Sequence, residues 1–573
     1  MRETARQGDG PAFAQPVLSL LEDGDVEERR APGNAISAQA AEIAGGGVHD
    51  ADRLVAGLRA RRPGVHDRAA RLGVLLAAGE LARGCSAAVL PETLIWLRGL
   101  RDARGGDPHV RLAAAMALAF AVETERPGAA IGALAEAPDT EVWREVPWVG
   151  VMPAELTGLL GGTGAALVRW AGDALGVAAR TELCLTLAGH PDGDRRTGAV
   201  QVAAKLVTRW RSPAAPLLPA LTEWTGDPVV AVREYATHVL AALRAGADAL
   251  AGRLGDRAAR SPDLRYQVAD IAAWGLARQG DPRCVPHLVE RLDTGRELGQ
   301  GGDGGAAPYG YSPVPPGIAA ALVPMRAHAA ALLPPLRARL RDHQDGAATL
   351  LRVLARWEDD AAPALPEIMP LLETGAHDAA VSALAATGSA EAAAVLEGLL
   401  DRPPGRLPTW NPGLSRLGEA RAHWRLTGDP GRFAAALDAV FRPEHVQAHW
   451  RDLAALGPDA AAFTGRLRPL LAHRDLLKRV AAAYALFKIT GDAGQARDIL
   501  WEAVHPIAAR SHSEVAWTAL RHLTETGPAQ PRMRPILEEI LASDRRHRAH
   551  DGFRAVDEDA ALRADAAALL ADD

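Results

Sequence analysis

The sequence predicts an all-α fold, a right-handed α-solenoid of stacked antiparallel helix pairs. Three observations lead there. Glycine-centred turns recur along the chain, those at Gly388, Gly428, Gly457, Gly491 and Gly527 being spaced by 29 to 40 residues. The stretches on either side of each turn carry apolar residues at steps of three and four, the period of an amphipathic helix. The composition is that of helices packed through small side chains: 48% hydrophobic but only 4% aromatic, with about a fifth alanine, the residue that loses least side-chain entropy in a helix.

In chain order, residues 1–11 read as a flexible N-terminal tail and 12–292 as a first solenoid segment. A Gly/Pro/Tyr-rich loop or hinge follows over 293–317, then a second solenoid segment over 318–545 and a tail or capping helix over 546–573. The repeat shows in "AEIAGG" at Gly46, "ALRAGAD" at Gly246, "LARQGDPRCVPHLVERL" at Gly280, "HWRLTGDPGRFAAALDAVF" at Gly428 and "LFKITGDAGQARDILWEAV" at Gly491. Glycine ends the first helix because the turn needs a positive φ that other residues adopt at a cost. The aspartate after it, Asp281, Asp429 or Asp492, is placed to cap the next helix. Ala496, Ile499, Leu500 and Val504 then form one apolar face. A single pair cannot bury that face, so neighbours must stack.

Three stretches break the pattern: 138–164, 293–317 and 401–418, each rich in Gly and Pro. Insertions in a solenoid become loops on one face. Their aromatics, Trp143, Trp148, Tyr309, Tyr311 and Trp410, are the candidate partner-binding residues, because exposed aromatics are enriched at binding hot spots. The stretch 293–317, whose large side chains are Leu298, Tyr309 and Tyr311, is expected to be a mobile loop or hinge. Trp96, Trp274, Trp357, Trp424, Trp501 and Trp517 lie inside helical patterns and are expected in the core.

Several first helices open with an acidic cap and an arginine further along: "DPHVRLAAAMAL", "DPVVAVREYATHVL" and "HRDLLKRVAAAYAL", the last running into "ALFKITGD". This resembles HEAT repeats, in particular the short bacterial kind of phycobilisome-lyase-type (PBS lyase) HEAT-like proteins, over residues 12–545. The resemblance implies that Asp107/Arg111, Asp227/Arg233 and Asp475/Arg479 act as structural caps and inter-repeat ties, with no catalytic role.

Chemistry is hard to find. Cys85, Cys184 and Cys284 are isolated, so neither a zinc site nor a disulfide framework is indicated. His445 and His449 are one helical turn apart, a spacing that can hold a metal, but no third ligand is near. Four His-Asp dipeptides, at His49, His66, His377 and His550, mostly fall at expected helix starts, where aspartate is a cap. No His-Glu dipeptide occurs, which argues against the metal oxygenases built on HEAT-like repeats, and no phosphate-loop, nucleophile-elbow or HExxH motif is present. No catalytic residue, metal or cofactor is therefore assigned. The first residues lack the apolar core of a signal peptide and no run of 18 apolar residues is evident, so the expected setting is cytoplasmic with no membrane contact.

Net charge is -7, which calls for no polyanion partner. The three lysines, Lys205, Lys478 and Lys488, stand among 64 basic residues. That arginine excess looks like codon usage and weakens any arginine cluster as a nucleic-acid signal. The expected function is a non-enzymatic scaffold or adaptor that binds another protein on its solenoid surface. The alternative is a HEAT-type nucleic-acid-binding protein or a DNA-lesion glycosylase resembling the AlkD type, which needs a basic groove.

Overall fold

The structure, a computed structural model, describes residues 48–60, 68–121, 127–137, 139–146, 161–259, 266–299, 313–342, 346–402, 411–507, 513–550 and 552–571. The fold is an all-α solenoid of HEAT-like helix pairs, with no extended strand among the described residues. The chain divides into two compact units within one helix, between Ala236 and Thr237; a short excursion over 258–264 belongs to the first unit.

Helices of eight residues or more are numbered in chain order. The first unit holds α1 (Val48–Ala60), α2 (Arg68–Ala82), α3 (Leu90–Arg101), α4 (Pro108–Ala121), α5 (Pro127–Glu136), α6 (Thr163–Ala174), α7 (Val177–Thr186), α8 (Gly193–Arg209), α9 (Ala214–Trp224) and the first half of α10 (Val230–Leu243). The second unit holds the rest of α10, then α11 (Val268–Ala277), α12 (Val285–Asp293), α13 (Ala329–Asp342), α14 (Ala347–Trp357), α15 (His377–Ala386), α16 (Ala390–Asp401) and α17 (Pro412–Thr427). It continues with α18 (Gly431–Val440), α19 (Val446–Leu456), α20 (Leu476–Thr490), α21 (Gly494–Val504), α22 (Glu514–Thr524), α23 (Arg534–Ala542) and α24 (Arg554–Ala571).

Alternate helices pack on one another to form a continuous layer. In the first unit α2 lies on α4 and α6 on α8; in the second, α14 lies on α15, α15 on α17, α19 on α20, α20 on α22 and α22 on α24. The intervening helices form the other layer, α3 and α5 against α4, α18 against α17, and α21 against α20 and α22. This is the arrangement that the apolar periodicity requires, since each helix buries its stripe against both partners. Ala496, Ile499, Leu500 and Val504 are all buried.

The turns form as their chemistry dictates. Gly246, Gly280, Gly388, Gly428, Gly457, Gly491 and Gly527 all have positive φ; Gly46 lies outside the described residues. The Asp281, Asp429 and Asp492 carboxylates accept backbone N–H bonds from Arg283, Gly431 and Gly494, each at 3.0 Å. Trp274 and Trp357 are fully buried, as is most of Trp501, and Trp96, Trp424 and Trp517 pack against core clusters.

The described ends of the expected loop or hinge, 293–299 and 313–317, lie inside the second unit, where α12 packs on α13. These ends are held: Leu298 is fully buried, Glu297 accepts bonds from Ile318 N and Arg339, and Gly299 lies so close to Pro315 O that a Cβ would collide with it. One expectation changes: one stretch among the described residues, Ile318–Asp342, is long and apolar enough to cross a membrane. Here it is bent through a 3-10 turn at Val323–His328, and its Ile318, Leu322, Met325, Leu332, Leu336 and Leu340 are buried against other helices.

Candidate functional site

The charged residues singled out by sequence are mostly ties. Asp107 caps α4 through His109 N at 2.9 Å, and its carboxylate receives both arms of Arg68, at 2.9 and 2.7 Å. Burial works against the charge of Asp107, but Arg68 and the His109 N–H outweigh it and hold its pKa below the usual carboxylate range. Asp227 repeats the device: it receives Val229 N at 2.7 Å and the fork of Arg196 at 2.6 and 3.0 Å. Asp475 accepts from Leu477 N at 3.0 Å. Arg233 donates to Asp227 O at 2.7 Å, and Arg479 to His473 O at 3.1 Å and to the Glu502 carboxylate.

A second set of ties was not read from the sequence. Arginines close the carbonyl ends of preceding helices, where the partial negative charge of the helix collects. Arg195 donates to Leu134, Ala135 and Ala137 at the end of α5. Arg416 donates to Leu399, Leu400 and Arg402 at the end of α16. Arg563 does the same for Ile540, Leu541 and Ser543 at the end of α23. No local motif marks them, because each acceptor is a backbone group.

Two buried polar clusters of the second unit are also closed. Asp270, fully buried, accepts from Arg291 at 2.7 and 2.8 Å and from Gln267 N at 2.8 Å, and pairs with His287 Nε2 at 2.8 Å. His377, the one His of the four His-Asp dipeptides that is fully buried among the described residues, sits between Leu372 O at 2.7 Å and Glu419 at 2.9 Å. Burial opposes its charge, but Glu419 and Leu372 outweigh this and raise its pKa. Such satisfied networks fix a core rather than expose a reactive group. His445 belongs to a 3-10 turn and is exposed, whereas His449 lies within α19 and is buried. The 3-10 turn ends at His445, so the two do not lie within one α-helix. Among the described residues no group of three or more His, Cys, Asp or Glu is placed to hold a metal, and the three cysteines are unpaired.

Of the loop aromatics, Trp143 is corrected from exposed to buried. A 3-10 turn, Glu141–Glu145, tucks the ring inside, and its indole N–H donates to His109 Nδ1 at 3.0 Å. The indole can only donate, so that imidazole nitrogen is unprotonated, in keeping with a His109 pKa lowered by burial. Trp148, Tyr309, Tyr311 and Trp410 lie outside the described residues.

Two places are not absorbed by ties. In the first unit a cavity of about 300 Å³ is lined by Arg101, Asp102, Arg111, Gly128, Gly132 and Glu136, among others. Arg111 stands in the tie position, but the Asp107 carboxylate is taken by Arg68, and Arg111 Nε is buried without an acceptor among the described residues. In the second unit an aromatic stack crosses three successive helices of one layer. Tyr484 of α20 and His522 of α22 lie parallel at 3.5 Å, and Trp450 of α19 meets His522 edge-on at 4.7 Å. Tyr484 donates to Glu525 at 2.7 Å, Lys488 to the same carboxylate at 3.0 Å, and the Arg451 guanidinium lies 4.9 Å over Trp450. Burial pushes the His522 pKa down to about 4, so its ring stacks as a neutral aromatic at pH 7. Tyr484 and His522 are buried and Trp450 is partly buried, so of the three rings Trp450 is the one that reaches the surface.

No family model matches the chain, and no curated protein matches it. Among solved structures it is similar to the complex of CpcE and CpcF of phycocyanin lyase from Nostoc sp. PCC7120, at 20% identity over 49% of this chain and 92% of that one, with a TM-score of 0.25. It is similar to Kap121p bound to Ste12p, at 12% identity over 97% and 75% of the two chains, with a TM-score of 0.40. It is also similar to yeast importin-beta (Kap95p), at 12% identity over 98% and 72%, with a TM-score of 0.35.

Proposed function

We propose that this chain is a non-enzymatic scaffold that seats a protein partner on the layer formed by α19, α20 and α22. The observation that carries the reading is the partly exposed Trp450, backed by the buried rings of His522 and Tyr484 and flanked by Arg451, Lys488 and Glu525. Binding hot spots favour Trp, Tyr and Arg set in well-packed surroundings with a polar rim, and Trp450 is half-buried beside an exposed Arg451.

The test is affinity capture from the source organism with the wild type and with a Trp450→Ala, Arg451→Ala double variant of unchanged melting temperature. A protein retained by the wild type and lost by the variant supports the seat. Identical sets from both place the seat elsewhere. Duplex DNA bound below micromolar with a steep salt slope would instead favour the nucleic-acid alternative.

A further inference from the structure

The last helix of the second unit touches the first elements of that same unit. Phe553, just ahead of α24, lies edge-on to Trp274 of α11 at 4.9 Å and to His238 of α10 at 6.3 Å. One turn later Asp557 receives both arms of Arg278, at 3.0 and 2.8 Å, and Arg244 at 3.1 Å. Arg278 is the hub. Its side chain is 8% exposed, it closes the end of α10 through Ala241 O at 3.0 Å and Ala242 O at 3.3 Å, and its guanidinium lies over the rings of Trp274 and Phe553.

We propose that this contact is a clasp, and that the second unit has an open state in which α24 stays folded while the α10–α11 edge is released. Two observations carry it. The first is a difference between the two attachments of α24. Leu562, Ala566 and Leu569 join an apolar core with α22 and α23. Asp559 locks the same side, accepting from Arg563 at 2.9 Å, Arg546 at 3.1 Å and His547 N at 3.0 Å. Toward α10 and α11, by contrast, α24 offers the Phe553 ring and a carboxylate that is 35% exposed. Ring and ion-pair contacts of that kind are separable without unfolding a core.

The second observation is backbone strain at Arg244, which has φ +53°. It occupies the left-handed position after a helix end, where glycine is ordinarily used. An arginine there is disfavoured by its Cβ. Its side chain is spent on Asp557, so the strained residue serves the closed state. A partner carboxylate that competes for Arg278 and Arg244 would shift the unit to the open state by differential binding. This reading does not depend on where the protein partner sits.

Hydrogen exchange on the full chain tests it. In Asp557→Asn and in Phe553→Ala, amides of 238–245 and 268–278 are expected to exchange at least about tenfold faster, with 559–571 unchanged. The wild type is expected to move the same way as salt rises from 0.05 to 1 M, because the ionic part is screened. Unchanged exchange at 268–278 in both variants and in salt overturns the clasp. So does equal acceleration of 268–278 and 559–571, which would mean that α24 unfolds as one piece with the rest. If Arg244→Gly raises the melting temperature while leaving 268–278 as protected as before, Arg244 is a helix end and nothing more, and the strain argument falls.

Discussion

The two units share a way of joining helices by close backbone approach, seen in the second at Gly275, and differ in the charge they bury most deeply. A Cβ built on Gly79 of α2 would lie 2.5 Å from Ala117 Cα of α4, and one on Gly198 of α8 would lie 2.8 Å from Ala165 O of α6. In the second, charged groups fully removed from water stand at the centre: Asp270 with Arg291, and His377 with Glu419. Close backbone packing gains from dispersion and tolerates no added atom. A buried ion pair tolerates changes of volume but not the loss of one member. The same repeat thus acquires opposite sensitivities at these two kinds of join.

The sharpest break should come from Asp270→Ala, which strands Arg291 in the core. It should lower stability by roughly 3–5 kcal/mol, read as a fall in the urea midpoint of the second unit. Replacing Asp270 and Arg291 together with apolar residues should recover much of that loss.

Acid comes next. The folded state keeps His522 neutral down to about pH 4, whereas the unfolded chain takes up that proton near the ordinary histidine value of about 6.5. The stability it confers is therefore complete above that value and is lost as pH falls toward 4, by up to about 3 kcal/mol. His377 acts in the opposite sense: its raised pKa gives a contribution that is present below the unfolded value and fades as pH rises through the folded one. Urea midpoints of His522→Phe measured from pH 7 to 4 should show a shallower acid fall than the wild type.

Gly79→Val should cost roughly 1–3 kcal/mol by forcing α2 from α4, while Gly418→Ala in α17 of the second unit, where a Cβ meets nothing within 4 Å, should be neutral or stabilising. The smallest effect sharpens the comparison within the first unit. Arg196→Ala leaves the buried Asp227 short of two bonds and should cost roughly 1–3 kcal/mol. Arg111→Ala removes a guanidinium whose Nε has no acceptor among the described residues and should fall within about 0.5 kcal/mol. Equal losses at the two positions, measured by thermal unfolding, would mean that Arg111 has a structural acceptor after all.

What could be read from sequence was local. Turn glycines, capping aspartates and apolar faces each follow from neighbouring residues, and they stand where expected. The ties were half legible: Asp107 and Asp227 are recognisable as caps, but their partners Arg68 and Arg196 lie about one repeat away, hidden among many arginines. The unit boundary leaves no mark because α10 runs through it unbroken. Trp143 was misplaced because Gly and Pro nearby suggested an open loop, whereas a single 3-10 turn suffices to bury it.

The arginines that close helix ends change what counts as a module. Arg416 belongs to α17 but completes α16, and Arg563 belongs to α24 but completes α23. Duplication or deletion of a helix pair cut between pairs, rather than at its glycine turn, would separate each helix end from the guanidinium that closes it. The portable segment is instead a second helix together with the first helix of the following pair. Grafts or truncations cut at Gly388 should therefore leave fewer exposed carbonyls than cuts placed between α16 and α17, although both preserve a whole number of helices.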